Sequence, residues 1–294
     1  MITVLLYLTL YPVLLVLAIL PMRVLYGLSD FGYFLGYSLI KYRKKLVIAN
    51  LQTTFPEKNE REIIQLVQQF YHNFFYVIFE TIKLSTLNLK RIPTMMEAGN
   101  MELLDSYYQE KKSVILASSH FGNWELGAAA YALMYPRTLK GVYMPLANTF
   151  FNQYMINLRK RFGGELYTID ETLIKIRQNI EQHMAIGLLS DQSPSSHQAY
   201  WYSLLGRETP VYTGMELLAK RFDMPVVYLR FDRHGRGRYQ MNCELISDKP
   251  KEEEKYFITH TYVSKLERDI LREPTNWLWT HNRWKRKKQP KPSI

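Results

Sequence analysis

The chain has 294 residues, of which 47% are hydrophobic, and this content excludes an intrinsically disordered protein. Its formal net charge is +11 at pH 7, which implies an anionic partner of some kind or simply marks a cationic surface. The single cysteine, Cys243, excludes an internal disulfide and a cysteine-based metal cluster. It lies in an alternating, strand-like run, so we expect a buried packing role for its thiol.

The first residues predict a membrane anchor. No charged side chain occurs from Met1 to Met22, and residues 2–20 are long enough to span a bilayer as a helix kinked at Pro12. A basic n-region and a small-residue cleavage site are both missing, so we interpret the segment as uncleaved. The run 24–40 is rich in Gly and Tyr and predicts an interfacial or re-entrant segment rather than an independent span. The alternative is an amphipathic hairpin that lies on the bilayer without crossing it.

A basic cluster follows these apolar runs. Residues 41–45 contain four Lys or Arg, and the preceding residues 1–22 contain none, so the positive-inside bias predicts that the rest of the chain lies on the cytoplasmic side. We therefore divide the chain into a membrane anchor or interfacial segment, 1–45, and an α/β domain, 46–294. Residues 46–110 form a helical lead-in to that domain, with a helix predicted from near Lys58 to Leu84.

The next informative feature is a predicted strand-to-helix corner. The apolar run 114–117 suits a buried parallel strand, and residues 126–134 are strong helix formers. Between them, Asn123 is a natural N-cap, and Glu125 falls in the first helical turn, where the macrodipole favours its carboxylate. We predict that Glu125 points back to His120 and that this His takes a proton from a substrate hydroxyl. The plain alternative is a His that packs or caps at a loop.

Beyond the corner, apolar strands alternate with helical stretches. The strands are predicted at 114–117, 139–144, 166–169, 186–189 and 226–231, and the helices at 126–134, 150–162, 173–183 and 214–222. This alternation predicts an α/β fold with a mostly parallel central sheet flanked by helices. Residues 120, 144–145 and 191–194 each follow a strand, so we expect three loops to meet at the carboxyl edge of the sheet.

The C-terminal segment combines aromatic and basic residues, and no acid follows Glu273. Tryptophan and basic side chains are typical of a membrane interface, where indoles and cations meet headgroups and phosphates. We therefore predict a headgroup-binding patch, made of Trp277, Trp279, Arg283, Trp284 and Lys285. Both basic regions flank apolar sequence and no nucleic-acid motif is present, so we expect a membrane rather than a nucleic acid as partner.

The corner sequence, residues 120–125, matches the H-x-x-x-x-[DE] signature of the lysophospholipid acyltransferase superfamily. In its fuller form it resembles the bacterial lipid A biosynthesis secondary (lauroyl/myristoyl) acyltransferases. Further blocks resemble that family in chain order, namely 47–51 with 55–57, 142–146, 158–159 with Gly163, 191–192, and 277–285. The resemblance covers most of the chain and implies a glycerolipid acyltransferase-like fold.

The resemblance implies an inner-membrane enzyme that moves a fatty acyl chain from acyl carrier protein to a hydroxyl of a lipid A precursor. It makes His120 the general base and Glu125 the residue that holds its ring. The acceptor oxygen then attacks the donor thioester directly, without a covalent acyl-enzyme. No cofactor and no metal are implied.

Four further residues are candidates for the substrate site. A tetrahedral oxyanion needs donors, and we assign this role to Arg159 with backbone N–H groups near Gly122 and Asn123. Asp191 positions the acceptor or supports its loop. The alternatives are a solvated helix end for Arg159 and a turn cap for Asp191.

Several alternatives for function stay open. The donor is acyl carrier protein or a coenzyme A thioester, because the basic surface suits either. The acceptor is an anionic lipid, a lipid A precursor in the first hypothesis and an aminolipid or glycolipid in the second. From another class, the chain is a non-catalytic, membrane-tethered basic binding protein. Acyl chain length depends on where a tunnel ends, which the sequence does not specify.

Overall fold

The computed structural model describes residues 2–194 and 199–288. The α-helices are α1 (Ile2–Ile19), α2 (Met22–Tyr33), α3 (Lys44–Thr54), α4 (Glu60–Leu84), α5 (Ile92–Met95), α6 (Glu102–Gln109), α7 (Trp124–Met134), α8 (Thr149–Lys160), α9 (Ile169–Gln178), α10 (Gly214–Phe222) and α11 (Phe257–Arg272). The strands are β1 (Met96–Ala98), β2 (Val114–Ser118), β3 (Leu139–Tyr143), β4 (Glu165–Thr168), β5 (Ala185–Leu189), β6 (Tyr200–Leu204), β7 (Arg207–Val211), β8 (Val226–Gly235) and β9 (Arg238–Ser247).

The central sheet has the strand order β1-β9-β8-β2-β5-β3-β4. Strands β8 and β9 form an antiparallel hairpin, and the other neighbours in the sheet are parallel. Strands β6 and β7 form a separate hairpin. The predicted α/β class with a mostly parallel sheet is therefore confirmed. The order also places β5 between β2 and β3, so the loop after β5 lies beside the corner after β2.

The sheet separates two hydrophobic cores. On one face, side chains of β2, β5 and β8 pack with α3, α4, α9, α10 and α11. On the other face, alternate side chains of the same strands pack with α5, α6, α7 and α8. Successive residues of a strand point to opposite faces, so each strand contributes to both cores and reads as a continuous apolar run. That property explains why β2 was recognisable from residues 114–117.

The N-terminal helices rest on the body of the protein. The Lys83 ammonium on α4 donates to the carbonyl oxygens of Ala18 and Leu20 at the end of α1, at 2.7 Å each. Pro12 lies inside α1, which is helical as predicted. Within the described part of the chain, no helix combines the length and the apolar character that crossing a bilayer requires.

The lead-in helix α4 begins at a capping box. The Asn59 side chain accepts from the Glu62 backbone, and the Glu62 side chain accepts from the Asn59 backbone. These two bonds satisfy backbone donors that the first turn leaves free, which fixes where the helix starts. The helix runs to Leu84, the end predicted from its apolar periodicity.

Some observed helices differ from the predicted ones at their ends, and some observed elements were not predicted. Helix α10 has the predicted bounds. Helix α9 begins earlier than predicted because the capping box at Thr168 and Glu171 starts it, and it also ends earlier. Cys243 is buried in β9, as expected, and its thiol contacts the Asn100 carbonyl. Sequence reasoning did not identify α11, β1 or the β6–β7 hairpin.

Candidate active site

The corner between β2 and α7 is tight because Gly122 has a positive φ of 62°. A Cβ atom at this glycine would lie 2.1 Å from the Phe231 carbonyl oxygen of β8, so no other residue fits without movement. Helix α7 then starts at the predicted N-cap, where the Asn123 side chain accepts from the Leu126 N–H at 3.0 Å. The corner therefore holds His120 and Glu125 on a rigid turn.

The His120 ring is held by Asp191. Its Nδ1 lies 2.8 Å from Asp191 Oδ1, and its backbone N–H donates to Asp191 Oδ2 at 3.1 Å. The Trp277 indole N–H also donates to Oδ2, at 2.9 Å. Burial alone would raise the pKa of the Asp191 carboxyl, but the charge and hydrogen bonds of His120, with the Trp277 bond, hold this pKa below its ordinary value.

This contact fixes the chemistry of the ring. An ionised carboxylate can only accept, so Nδ1 carries a proton, and in the neutral ring Nε2 is therefore the nitrogen with the free lone pair. The His120 side chain is 18% exposed, and it lines the large cavity described below. The Gln192 amide nitrogen lies 3.4 Å from Nε2, and the Trp124 ring packs edge-on against the imidazole. Nε2 is thus the ring atom available to a substrate proton.

Glu125 does not hold the ring, contrary to the prediction. Its carboxylate accepts two hydrogen bonds from Arg159 of α8, from Nε at 3.0 Å and Nη2 at 2.6 Å. In the described structure no hydrogen bond joins Glu125 to His120. The reason is geometric: α8 carries a guanidinium whose fork matches a carboxylate, while Asp191 already occupies the ring nitrogen. The Arg159 side chain is 29% exposed and lines the cavity, so Arg159 is not a solvated helix end.

One of the backbone donors predicted for an oxyanion, the Gly122 N–H, has another partner. The Gly122 N–H donates to the Asn276 carbonyl at 3.0 Å, so this donor is already used, and the prediction for Gly122 is wrong. Asn123 is fully buried, and its side-chain amide donates to Glu80 at 2.8 Å. The Asn123 side chain therefore supports the corner, and the role predicted for the backbone N–H at this position stays a prediction.

Glu80 is a buried support that sequence reasoning missed. Besides Asn123, its carboxylate accepts from the hydroxyls of Tyr26 and Tyr239 and from the Gly237 N–H, at 2.7–3.0 Å. Burial raises the pKa of this carboxyl, although these hydrogen bonds oppose the shift. The network joins α2, α4, the β8–β9 turn and the N-terminus of α7.

The C-terminal segment is not a headgroup patch. Trp277 and Arg283 are 2% exposed and Trp279 is fully buried. Trp284 is half-buried beneath Arg207, and only Lys285 of the predicted set is exposed. Burial lowers the pKa of Arg283 to about 10, so it remains charged at neutral pH. Aromatic and basic composition therefore indicated the wrong environment.

The C-terminal segment instead holds the β2–α7 corner in place. Phe121 pairs with Trp277, and the Leu278 N–H donates to the His120 carbonyl at 3.1 Å. Arg283 donates to the Ser193 hydroxyl and the Pro210 carbonyl at 2.9 and 2.7 Å, which fixes the loop after Asp191. Both loops that carry the His120–Asp191 pair are thus held by one C-terminal segment.

A cavity of about 1230 Å³ opens beside the pair. Its lining is mostly apolar, and its polar groups include His120, Glu125, Arg159, Ser190 and Gln192. Met144 and Pro145 also line it, so the three loops expected at the carboxyl edge do meet there. In residues 2–194 and 199–288, no three His, Cys, Asp or Glu side chains come close enough to hold a metal ion.

The chain is similar to known proteins over nearly its whole length. Residues 2–286 match the family model described as bacterial lipid A biosynthesis acyltransferase. The lipid A biosynthesis lauroyltransferase of Escherichia coli strain K12 is 24% identical to the chain over 279 residues. The alignment covers 93% of this chain and 89% of that protein.

Proposed function

Because the chain belongs to the bacterial lipid A biosynthesis acyltransferase family, we propose that it moves a fatty acyl chain from an acyl thioester to a hydroxyl of a lipid A precursor. Family membership makes the chain an acyltransferase and removes the alternative of a non-catalytic binding protein. The observation that carries the detailed proposal is His120, whose Nδ1 is held by a buried carboxylate while its ring lines a large apolar cavity.

In the proposed reaction, His120 Nε2 removes the proton from the acceptor hydroxyl as its oxygen attacks the thioester carbonyl carbon. A tetrahedral intermediate forms and then collapses, so the carbon–sulfur bond breaks and the new ester remains. The imidazolium returns its proton to the leaving thiolate. Asp191 stabilises the imidazolium and holds the tautomer, and no covalent acyl-enzyme is required.

Arg159 is the proposed donor for the oxyanion. Glu125 occupies its Nε and one Nη, so three guanidinium N–H bonds remain for a substrate oxygen at the cavity wall. The charge that develops on the carbonyl oxygen is stabilised most strongly by a donor already in place. Glu125 is then a positioning residue for Arg159.

We propose acyl carrier protein as the donor, with a coenzyme A thioester as the alternative. Both are anionic, and the chain carries a net charge of +11. The acyl chain would enter the apolar part of the cavity between the sheet and α7 and α8, which Leu116, Ala129 and Phe162 line. The measurement that separates the donors is transfer from each purified thioester.

We also propose that residues 1–45 attach the enzyme to the cytoplasmic face of the bacterial inner membrane. Helix α1 exposes Leu8, Val13, Val16 and Ile19, each by more than half. The cations of residues 41–45 follow the α1–α2 region and suit acidic headgroups. Detergent should release the protein from membranes, whereas high salt should not, since screening does not weaken apolar contacts. Release by salt alone would contradict this attachment.

The decisive test of the proposed function is mass spectrometry of lipid A and polar lipids from cells that lack the protein. We expect lipid A lighter by one acyl chain, restored by the wild type and not by His120→Ala. Unchanged lipid A with another lipid short of an acyl chain would transfer the function to that acceptor, an aminolipid or a glycolipid. No change in any lipid would contradict the proposal.

A further inference from the structure

The cavity beside His120 extends on both faces of the sheet. In β5, Gly187 and Leu188 are successive residues, so their side-chain positions lie on opposite faces, and both line the cavity. The same holds for Gly141 and Val142 of β3. The two parts therefore join around the carboxyl ends of these strands, where Ser190 and Gln192 follow β5.

The first part, which we call the enclosed lobe, lies between the sheet and helices α7 and α8. Leu116, Ala129, Ala132, Leu158 and Phe162 line it, and each is at most 5% exposed. These residues belong to the core on that face. Gly141 and Gly187 are register partners on its floor, where any side chain would occupy the space. The lobe therefore has the form of a pocket with fixed walls.

The second part, which we call the open groove, lies on the other face between α9 and α10. Val142, Leu188 and Leu218 line it and pack against the opposite core. Its outer edge is formed by Ile169 and Leu173 of α9 and Leu217 of α10, which are 46%, 40% and 65% exposed. The groove is therefore apolar yet open to the surroundings along its length.

The size of the combined cavity also favours two ligands. Its volume of about 1230 Å³ exceeds the ~300–1,000 Å³ that is usual for one small-molecule site. His120 and Arg159 both line this combined cavity.

We propose that the open groove binds a hydrocarbon chain of the acceptor lipid, while the enclosed lobe takes the chain that is transferred. This inference rests on the proposed function and deepens it, because it assigns the two substrates to separate parts of one cavity. A transferred chain leaves water and bilayer completely and fits a pocket with fixed walls. An acceptor lipid keeps other chains in the bilayer, which an open apolar groove permits.

The first test introduces a charge into the groove. Leu173→Glu and Leu217→Glu change exposed side chains, and Leu271→Glu on α11 is a matched control, 48% exposed and outside the cavity lining. With the acceptor in mixed micelles, we expect about tenfold or higher KM for the acceptor in both groove variants, from the lost apolar contact. The KM for the acyl thioester should change less than about twofold, and the control should match the wild type. An unchanged acceptor KM, or an equal rise for both substrates, would overturn the inference.

The second test does not depend on turnover. A lipid A precursor with a photoreactive group in one acyl chain should label α9 and α10, and a photoreactive acyl thioester should label α7 and α8. Labelling by the lipid on α7 and α8 would overturn the assignment of the groove. A wild type that transfers no acyl chain to any lipid, by contrast, would contradict the proposed function itself.

Discussion

Two side-chain pairs meet at the β2–α7 corner, His120 with Asp191 and Glu125 with Arg159, and they differ in burial. His120 is held by Asp191, which is 2% exposed and accepts three hydrogen bonds. Glu125 is held by Arg159, which is 29% exposed and keeps N–H bonds beside the cavity. A fully satisfied buried carboxylate fixes a ring, whereas a partly exposed guanidinium can still bind a substrate. The first pair is therefore suited to moving a proton and the second to stabilising negative charge.

The largest effect is expected for His120→Ala, which removes the base. We expect kcat to fall about 10³-fold or more, within the usual range for general base catalysis. His234→Ala is the matched control, because His234 is exposed on the β8–β9 hairpin. Single-turnover transfer from an acyl thioester measures both, and near-normal turnover without His120 would contradict the mechanism.

Asp191→Asn should have the next largest effect. An asparagine can present its amide N–H to Nδ1 and so favour the tautomer with a protonated Nε2, which cannot accept the substrate proton. We expect about a 10²–10³-fold fall in kcat with little change in donor KM, because the misplaced proton removes most of the general-base contribution. A fall in donor affinity alone, with kcat unchanged, would assign Asp191 to binding instead.

Arg159→Ala should cost less, about 10²-fold in kcat, the loss that follows removal of one oxyanion donor. Arg159→Lys is the matched variant because it keeps the charge and loses the planar fork. Its activity should lie between Ala and wild type in the same transfer assay. Full activity of Arg159→Ala would show that Arg159 is not the oxyanion donor.

Glu125→Gln should have the smallest effect on rate, about tenfold, because glutamine still accepts a hydrogen bond from Arg159. The double variant with Arg159→Ala should be no slower than Arg159→Ala alone, since both side chains act as one unit. A loss for Glu125→Gln equal to that for His120→Ala would show that the two pairs are not separate.

The pH dependence of stability gives a finer distinction. The pKa of Asp191 is lowered on folding, so its stabilising effect is present above the unfolded-state value of about 4 and is lost as pH falls through the lower folded value. The difference in Tm between wild type and Asp191→Asn should therefore be present at neutral pH and shrink below pH about 4. A difference that keeps growing below pH about 4 would contradict the ionised state of this carboxyl.

The local features of the corner could be predicted from the sequence, and its pairing could not. The strand, the Asn123 cap and the α7 helix follow from neighbouring residues. The partner of His120 depends on strand order, because β5 lies next to β2 although two other strands separate them in the chain. Arg159 likewise reaches Glu125 from a separate helix, α8. Sequence spacing therefore predicts neither contact.

The two ends of the chain show a second limit of sequence reasoning. Both combine aromatic or apolar residues with cations. The structure exposes Leu8, Val13, Val16 and Ile19 of α1 but buries Trp277, Trp279 and Arg283 near Asp191. Composition is the same for an interface and for a buried aromatic network, and only tertiary contacts distinguish them. One local feature of the C-terminal segment could have indicated burial. Its Trp and Arg residues lie among Thr and Asn, which can supply buried hydrogen-bond partners.

The central claim is that Asp191, not Glu125, holds the His120 ring, and NMR of protein labelled with ¹⁵N-histidine tests it most directly. Comparison with His120→Ala assigns the His120 signals among the seven histidines. The structure predicts a proton on Nδ1 in the wild type and in Glu125→Gln, and loss of that state in Asp191→Asn. A ring that changes tautomer in Glu125→Gln and keeps it in Asp191→Asn would contradict the account.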